Sequence, residues 1–75
     1  NNAMRDLVWN TYIGDDCKKG KCYSCPRTID YTQFECGHLK SHKNGGQTDI
    51  KNLRPFCFHC NRSLGPNDFI EKRNQ

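Results

Sequence analysis

The chain has 75 residues, of which 33% are hydrophobic, and a formal net charge of +4. This length allows one small domain, and the apolar core of such a domain is marginal in stability by itself. The sequence contains neither an apolar run long enough to span a membrane nor a recognisable export signal. We therefore expect an intracellular protein in a reducing compartment, neither secreted nor membrane-bound.

The N-terminal segment is predicted to be a helix over residues 4–13. Apolar residues recur there at the spacing of one helix face: Met4, Leu7, Val8 and Tyr12. Gly14 is typical of a helix end, and residues 15–21 are polar and predicted to form a loop. Residues 1–3 are treated as a possible expression scar, which leaves residues 4–75 as a single domain.

Six cysteines indicate that cross-links stabilise the small core. Four of them form two C-x-x-C pairs: Cys22 with Cys25, and Cys57 with Cys60. Each pair makes a tight turn that points two thiolates at one centre, so together they predict one tetrahedral structural zinc site. Two or three disulfides are the alternative, which the absence of an export signal disfavours. Bound zinc would supply much of the folding free energy.

The two remaining cysteines, Cys17 and Cys36, are expected to be reduced and mostly buried thiols. A disulfide between them is the alternative, which depends on a distance that the sequence does not contain. Neither has a neighbouring base at a spacing that indicates a nucleophile.

The 31 residues between the two C-x-x-C pairs are expected to fold as an insert. Frequent β-formers predict a short strand over residues 31–36 and a returning strand over residues 48–53. Between them, Asn44-Gly45-Gly46 predicts a tight turn, because Asn and Gly tolerate positive φ.

Two short helices are predicted near the C-terminus. The first runs from Asn61 to Leu64 and ends at Gly65-Pro66. Asn67 can cap the second, which continues through residues 69–72.

In chain order, these pieces form a longer motif. They are Cys22-x2-Cys25, Glu35-Cys36-Gly37-His38, Gly45-Gly46, and Asn52-Leu53-Arg54-Pro55-Phe56-Cys57-x2-Cys60-Asn61. The motif resembles the HNH endonuclease family over residues 22–65, in the subgroup whose ββα-metal motif is flanked by two C-x-x-C turns. We therefore expect a small α+β fold: a zinc-stabilised ββα-metal domain with an N-terminal helix and a short C-terminal helix.

The resemblance assigns roles to three residues, in an H–N–N pattern. His38 matches the general base that takes a proton from the attacking water, which a neutral imidazole can do at neutral pH. Asn52 matches the residue that holds the hairpin loop and orients the base. Asn61 matches a ligand of a catalytic cation. This cation is expected to be Mg²⁺ or Mn²⁺, because an amide oxygen is a hard ligand. The implied activity is metal-dependent hydrolysis of DNA phosphodiester bonds.

One position departs from the family pattern. The residue before the base is usually an Asp or His that also binds the cation, whereas this chain has Gly37. Glu35, His42 and Asp49 are the candidates to replace it. The alternative function is a non-catalytic zinc-ribbon module that binds nucleic acid, or a domain of a larger assembly.

The same residues also have purely structural interpretations. His38 can be an ordinary histidine at a strand end, Asn52 can lock a turn, and Asn61 can be a helix N-cap. For Asn52 the structural and catalytic roles are compatible.

Basic residues are concentrated around the motif. Between Lys18 and Arg62 there are nine Lys or Arg residues and three acidic residues. This excess predicts a nucleic-acid partner, DNA, although it also suits a solubilising surface. The candidate phosphate-binding residues are Lys40, Lys43, Arg54 and Arg62.

Overall fold

The computed structural model describes residues 2–69, which form two α-helices and two small antiparallel sheets. The elements are α1 (Asn2–Tyr12), β1 (Lys19–Lys21), β2 (Thr28–Asp30), β3 (Glu35–His38), β4 (Leu53–Phe56) and α2 (Phe58–Leu64). A 3₁₀ turn, His42–Asn44, lies between β3 and β4. The predicted small α+β fold is confirmed. In this part of the chain no helix is both long and apolar enough to cross a membrane.

Helix α1 forms where it was predicted, but the face that it turns to the core differs in part from the predicted one. Val8 and Trp9 are buried, whereas Leu7 of the predicted face is 47% exposed. The Trp9 ring packs against Phe34 with ring centroids 5.0 Å apart, and against Tyr31 at 5.6 Å. The predicted apolar face is therefore wrong in part, because the largest aromatic ring of the helix fills the core in place of Leu7.

The first C-x-x-C pair lies in a β-hairpin. Strands β1 and β2 pair in antiparallel register, with Lys19 opposite Asp30 and Lys21 opposite Thr28. Cys22 N donates to Arg27 O at 2.9 Å, which continues the hairpin into the cysteine turn. Residues 19–21 are thus a strand and not part of the predicted loop, since the backbone of β2 supplies their hydrogen-bond partners.

The second hairpin, β3–β4, pairs Glu35 with Phe56 and His38 with Leu53. Both strands begin several residues later than predicted. Residues 31–34 belong to a turn in which the Asp30 side chain accepts from Thr32 N at 2.9 Å. Residues 49–52 form a similar turn around a second aspartate. Because an aspartate side chain that binds the backbone two residues on stabilises a turn, it delays the following strand.

Helix α2 begins at Phe58, three residues before the predicted start. Its N-cap is Cys57, whose sulfur accepts from Cys60 N at 3.4 Å. Asn61 is therefore inside the helix, and its interpretation as an N-cap is wrong. Residues 67–69 are not helical, and the rest of the predicted last helix lies outside the described residues.

The core lies between α1, the β3–β4 hairpin and the four paired cysteines. Its largest fully buried side chains are Trp9, Phe56, Leu53 and Val8. All six cysteines are free thiols, so Cys17 and Cys36 do not form a disulfide. Cys36 is half-buried, but the expected burial is wrong for Cys17, which is exposed in the loop after α1.

Candidate metal centre and active-site cleft

The four paired cysteines converge on one point. Their Sγ atoms all lie within 4.8 Å of one another: Cys22, Cys25, Cys57 and Cys60. Cys25 Sγ and Cys57 Sγ are 3.8 Å apart. Four sulfurs at about 2.3 Å from a tetrahedral zinc ion are separated by about 3.8 Å, so this spacing suits zinc. The cluster is a candidate site for a structural metal such as zinc.

Backbone amides donate to the sulfurs of this centre. Cys22 Sγ accepts from Ser24 N at 3.4 Å and from Cys57 N at 3.2 Å. Because such donors partly neutralise thiolate charge, the two turns are arranged to hold ionised sulfurs.

Cys57 and Cys60 differ in how readily their thiols ionise. Burial opposes ionisation of Cys57, but hydrogen bonds from Cys60 and from the Arg27 guanidinium outweigh it and lower the pKa of Cys57 to about 6. Burial and hydrogen bonds with neighbouring thiols raise the pKa of Cys60 to about 12. A bound cation favours the thiolate form of every ligand, so it would remove this inequality.

The predicted general base, His38, is the last residue of β3. Its Nε2 lies 3.0 Å from Thr48 Oγ1, across the loop that joins β3 to β4. The ring of His42 is nearby, with ring centroids 6.4 Å apart. Thr48 thus contacts the imidazole directly.

Asn52 holds the loop that carries Thr48. Its Oδ1 accepts from Lys40 N at 2.8 Å, and its Nδ2 donates to Lys40 O at 3.0 Å and to Gln47 O at 2.9 Å. A side chain at Gly46 would overlap Lys40 O, so this close approach requires glycine. Asn52 therefore closes the loop without contacting His38 itself.

Asn61 projects from α2 toward β3. Its Nδ2 donates to Glu35 Oε1 at 2.8 Å, and Arg62 Nη2 pairs with Glu35 Oε2 at 2.8 Å. Its Oδ1 lies 2.6 Å from the position that a Cβ would occupy at Gly37. The same Cβ would overlap the ring of Phe56. The position before His38 is thus closed to any side chain, and the amide oxygen of Asn61 fills part of that space.

The three candidates to replace the ligand missing at Gly37 differ in their surroundings. Glu35 contacts Asn61, and His42 lies beside His38. Asp49 instead accepts from Lys51 N at 2.9 Å and stabilises the turn before β4. Of the three, Glu35 is the carboxylate that contacts Asn61.

His38 and Asn61 line two adjoining clefts. The smaller, of about 290 Å³, also includes Ser41, His42 and Lys43. The larger, of about 730 Å³, extends to α1. The fold therefore brings the predicted base and the predicted metal ligand to the same open surface.

The four candidate phosphate-binding residues have different environments. Lys40 and Lys43 are exposed on the loop after β3. Arg62 is 70% exposed but pairs with Glu35. Arg54 already has partners within the protein. Its Nη1 donates to Tyr12 Oη at 2.7 Å, and its guanidinium stacks 4.2 Å from the centre of that ring.

Two residues at these clefts were not singled out from the sequence. Thr48 is ten residues from His38, and no spacing rule connects them. Arg5 lies on α1, where helical periodicity draws attention only to the apolar residues. The contact of Thr48 with His38 and the position of Arg5 at the larger cleft both depend on tertiary packing.

The two cysteine turns, the β3–β4 hairpin and α2 together define a ββα unit with a four-cysteine candidate metal site. A family model described as HNH endonuclease matches residues 22–67, which is 46 of the 75 residues. The chain belongs to the HNH endonuclease family, and this confirms the resemblance of the motif. An HNH domain indicates a nuclease-type or nucleic-acid-binding function. Comparison with curated proteins yielded no significant match, and comparison with solved structures yielded none.

Proposed function

We propose that this chain is a metal-dependent endonuclease that hydrolyses phosphodiester bonds of DNA, with His38 as the general base. The observation that carries the proposal is that His38 and Asn61 line the same two clefts of a ββα unit. The family match supports it, because it covers both residues.

The contact with Thr48 orients the imidazole of His38. When Nε2 donates to Thr48 Oγ1, the lone pair of the neutral imidazole is on Nδ1. Nδ1 then takes the proton from the attacking water. Thr48 is a positioning residue in this scheme, since its hydroxyl holds the ring in one orientation.

The catalytic cation is held by Asn61 with help from Glu35. Glu35 accepts from Nδ2 of Asn61 and so directs the amide Oδ1 toward the space beside Gly37. Hard oxygen donors suit Mg²⁺ or Mn²⁺, and Mg²⁺ commonly takes one or two protein ligands beside waters and substrate phosphates. When bound, such a cation stabilises charge at the scissile phosphate.

The four-cysteine centre is proposed to hold one structural Zn²⁺. It joins the turn after β1 to the start of α2, and α2 carries Asn61. Zinc binding therefore stabilises the position of α2 beside the cleft and takes no part in the reaction.

DNA is proposed to bind through its phosphates. Lys40 and Lys43 extend from the loop that also carries Thr48, and Arg62 follows Asn61 on α2. Contacts of this kind position a duplex without reading its sequence. We therefore expect little sequence specificity from this domain by itself.

The test is nicking of supercoiled plasmid by the zinc-loaded protein, with Mg²⁺ or Mn²⁺ added or omitted. The proposal predicts nicked circles only when a divalent cation is added. Salt-dependent DNA binding without cleavage under either cation would contradict it and favour the alternative, a non-catalytic zinc module, for which the missing side chain at Gly37 is the supporting observation.

A further inference from the structure

The larger cleft is bounded in part by an element that the family match does not include. Residues of β3, α2 and the hairpin loop line it, together with Arg5 from α1. Helix α1 comprises Asn2–Tyr12, whereas the match begins at residue 22. Nothing in the family match therefore assigns a role to Arg5.

Arg5 is held in a defined position. Its guanidinium lies 4.1 Å from the centre of the Phe34 ring, and Phe34 is buried. Its Nη2 donates to Tyr31 O at 3.0 Å. A guanidinium has five N–H donors, so this single hydrogen bond leaves others for a ligand. Stacking and one backbone contact thus fix the group while its hydrogen-bonding capacity is largely unused.

The positive charge of Arg5 has no carboxylate partner within residues 2–69. The ion pair found in this range joins Arg62 to Glu35. The neighbouring carboxylate of Asp6 binds the hydroxyl of Tyr31 instead. Arg5 is half-buried and lines an open cleft, so a ligand can reach its guanidinium, and an unpaired guanidinium favours an anionic ligand.

The charge of Arg5 also reaches β3. Burial raises the pKa of the Cys36 thiol, and the positive charge of Arg5 opposes this rise. Cys36 is two residues before His38 on the same strand and lines the same cleft. The guanidinium therefore lies close to the strand that carries the proposed base.

We propose that Arg5 binds a phosphate of the DNA strand that enters the larger cleft, beside His38 and Asn61. The planar guanidinium offers paired donors that match the oxygens of a phosphate. This inference rests on the proposed function, and it adds α1 to the substrate-binding surface of the domain.

The test compares two substitutions, Arg5→Gln and Arg5→Lys, each combined with His38→Ala so that bound DNA stays intact. Gln keeps an N–H donor for Tyr31 O but removes the charge, and Lys keeps the charge. The Kd for a short labelled duplex is measured at several KCl concentrations. Loss of one phosphate contact lowers the magnitude of the slope of log Kd against log salt by about 0.9. We expect this change for Arg5→Gln and an unchanged slope for Arg5→Lys.

Equal slopes for His38→Ala alone and for the Arg5→Gln double variant would overturn the inference and leave the proposed function intact. Absence of any DNA binding by the wild-type protein would overturn both. Zinc content and circular dichroism verify that each variant is folded. A second measurement needs no change at Arg5: the Arg5 Nε–H signal of the His38→Ala protein, assigned by its loss in the Lys double variant, should shift on addition of duplex. An unshifted signal at saturating DNA would also overturn the inference.

Discussion

Gly37 stands directly before the proposed base, where the family pattern usually has a metal-binding Asp or His. Here a Cβ would overlap the Phe56 ring and lie 2.6 Å from Asn61 Oδ1. Phe56 is among the largest fully buried side chains, so it has little room to move. The glycine is thus required by the packing of α2 against β3, and the amide of Asn61 lies where a ligand side chain would begin.

We predict that Gly37→Ala destabilises the domain and lowers nicking activity. Forcing a methyl group into a packed site costs about 1–3 kcal/mol. Urea unfolding of the zinc-loaded protein measures the loss of stability, and plasmid nicking measures the loss of activity. Gly37→Asp restores the family residue, yet we expect it to be at least as destabilising. An Asp variant as stable as the wild type and more active would contradict this interpretation of Gly37.

Thr48→Val removes the hydroxyl that bonds to His38 Nε2 while keeping the side-chain shape. Because Thr48 is exposed, we expect little change in stability. Loss of an orienting partner typically costs about 10-fold to 100-fold in activity, and we expect a decrease of this size in nicking rate. Thr48→Ser keeps the hydroxyl and should retain most of the rate. Equal rates for the Val and Ser variants would show that the hydroxyl has no role.

The β3–β4 hairpin loop is the element that positions the proposed base, His38. Asn52 closes it through three hydrogen bonds to Lys40 and Gln47, and Asp68 braces it from the segment after α2. Asp68 Oδ1 accepts from Ser41 N at 2.7 Å and from Asn44 Nδ2 at 3.0 Å. The loop geometry thus depends on Asn52 at one end of the loop and on Asp68 from a segment outside it.

Asn52→Ala should destabilise the fold. It removes three hydrogen bonds from a half-buried side chain, each with a net contribution of about 0.5–1.5 kcal/mol, so we expect a loss of about 2 kcal/mol. Thermal unfolding followed by circular dichroism measures this loss. Asn67→Ala, at an exposed position after α2, is the control and should change Tm little. Matching Tm values for both variants would refute the bracing role of Asn52.

The hydrogen bonds that Asp68 accepts predict that the stability of the fold depends on pH. Hydrogen bonds from Ser41 and Asn44 lower the pKa of Asp68 below its usual value of 3.8. The unfolded chain therefore takes up this proton first, so the contribution of Asp68 is present above about pH 4 and is lost as the pH falls through the lowered pKa. Asp68→Asn should lose that contribution near neutral pH. NMR titration of the Asp68 carboxyl would contradict this prediction if its pKa were at or above the usual value.

Helices α1 and α2 and the β3–β4 hairpin could be predicted from local patterns, but the β1–β2 hairpin and several boundaries could not. The hairpin turn at residues 44–46 and the helix stop after Leu64 follow from Gly and Pro chemistry. The late start of β3 follows from the side chain of Asp30, which favours a turn over the predicted strand. The buried face of α1 depends on which residues pack against it. The link between Glu35 and Asn61 is equally tertiary, because 26 residues separate them.

The four-cysteine centre organises the whole molecule. It connects the β1–β2 hairpin to the N-terminal end of α2, and only a small apolar core surrounds it. Four thiolates with one Zn²⁺ lower the formal net charge of +4 by two. The basic residues around the motif therefore remain in excess in the zinc-bound protein.

Removal of zinc should unfold the domain. The four cysteines come together only in the folded chain, so zinc binding contributes folding free energy directly, and we expect chelation to abolish the circular dichroism signal of the helices and strands. Cys22→Ser should abolish tight binding of one zinc per chain, whereas Cys17→Ser, which changes an exposed thiol outside the cluster, should retain it. Retained secondary structure after complete zinc removal would contradict this prediction.

The proposal that His38 is the base of a DNA-cleaving site is tested most directly by the initial rate of plasmid nicking with Mg²⁺ or Mn²⁺. Three zinc-loaded proteins are compared: wild type, His38→Ala and His59→Ala. His59 is exposed on α2 and borders a different cavity, so its loss should leave the rate close to that of the wild type. Loss of a general base lowers the rate by about 10²–10⁴-fold, which we expect for His38→Ala. Equal nicking by the wild type and His38→Ala, or no nicking by the wild type, would contradict the proposal.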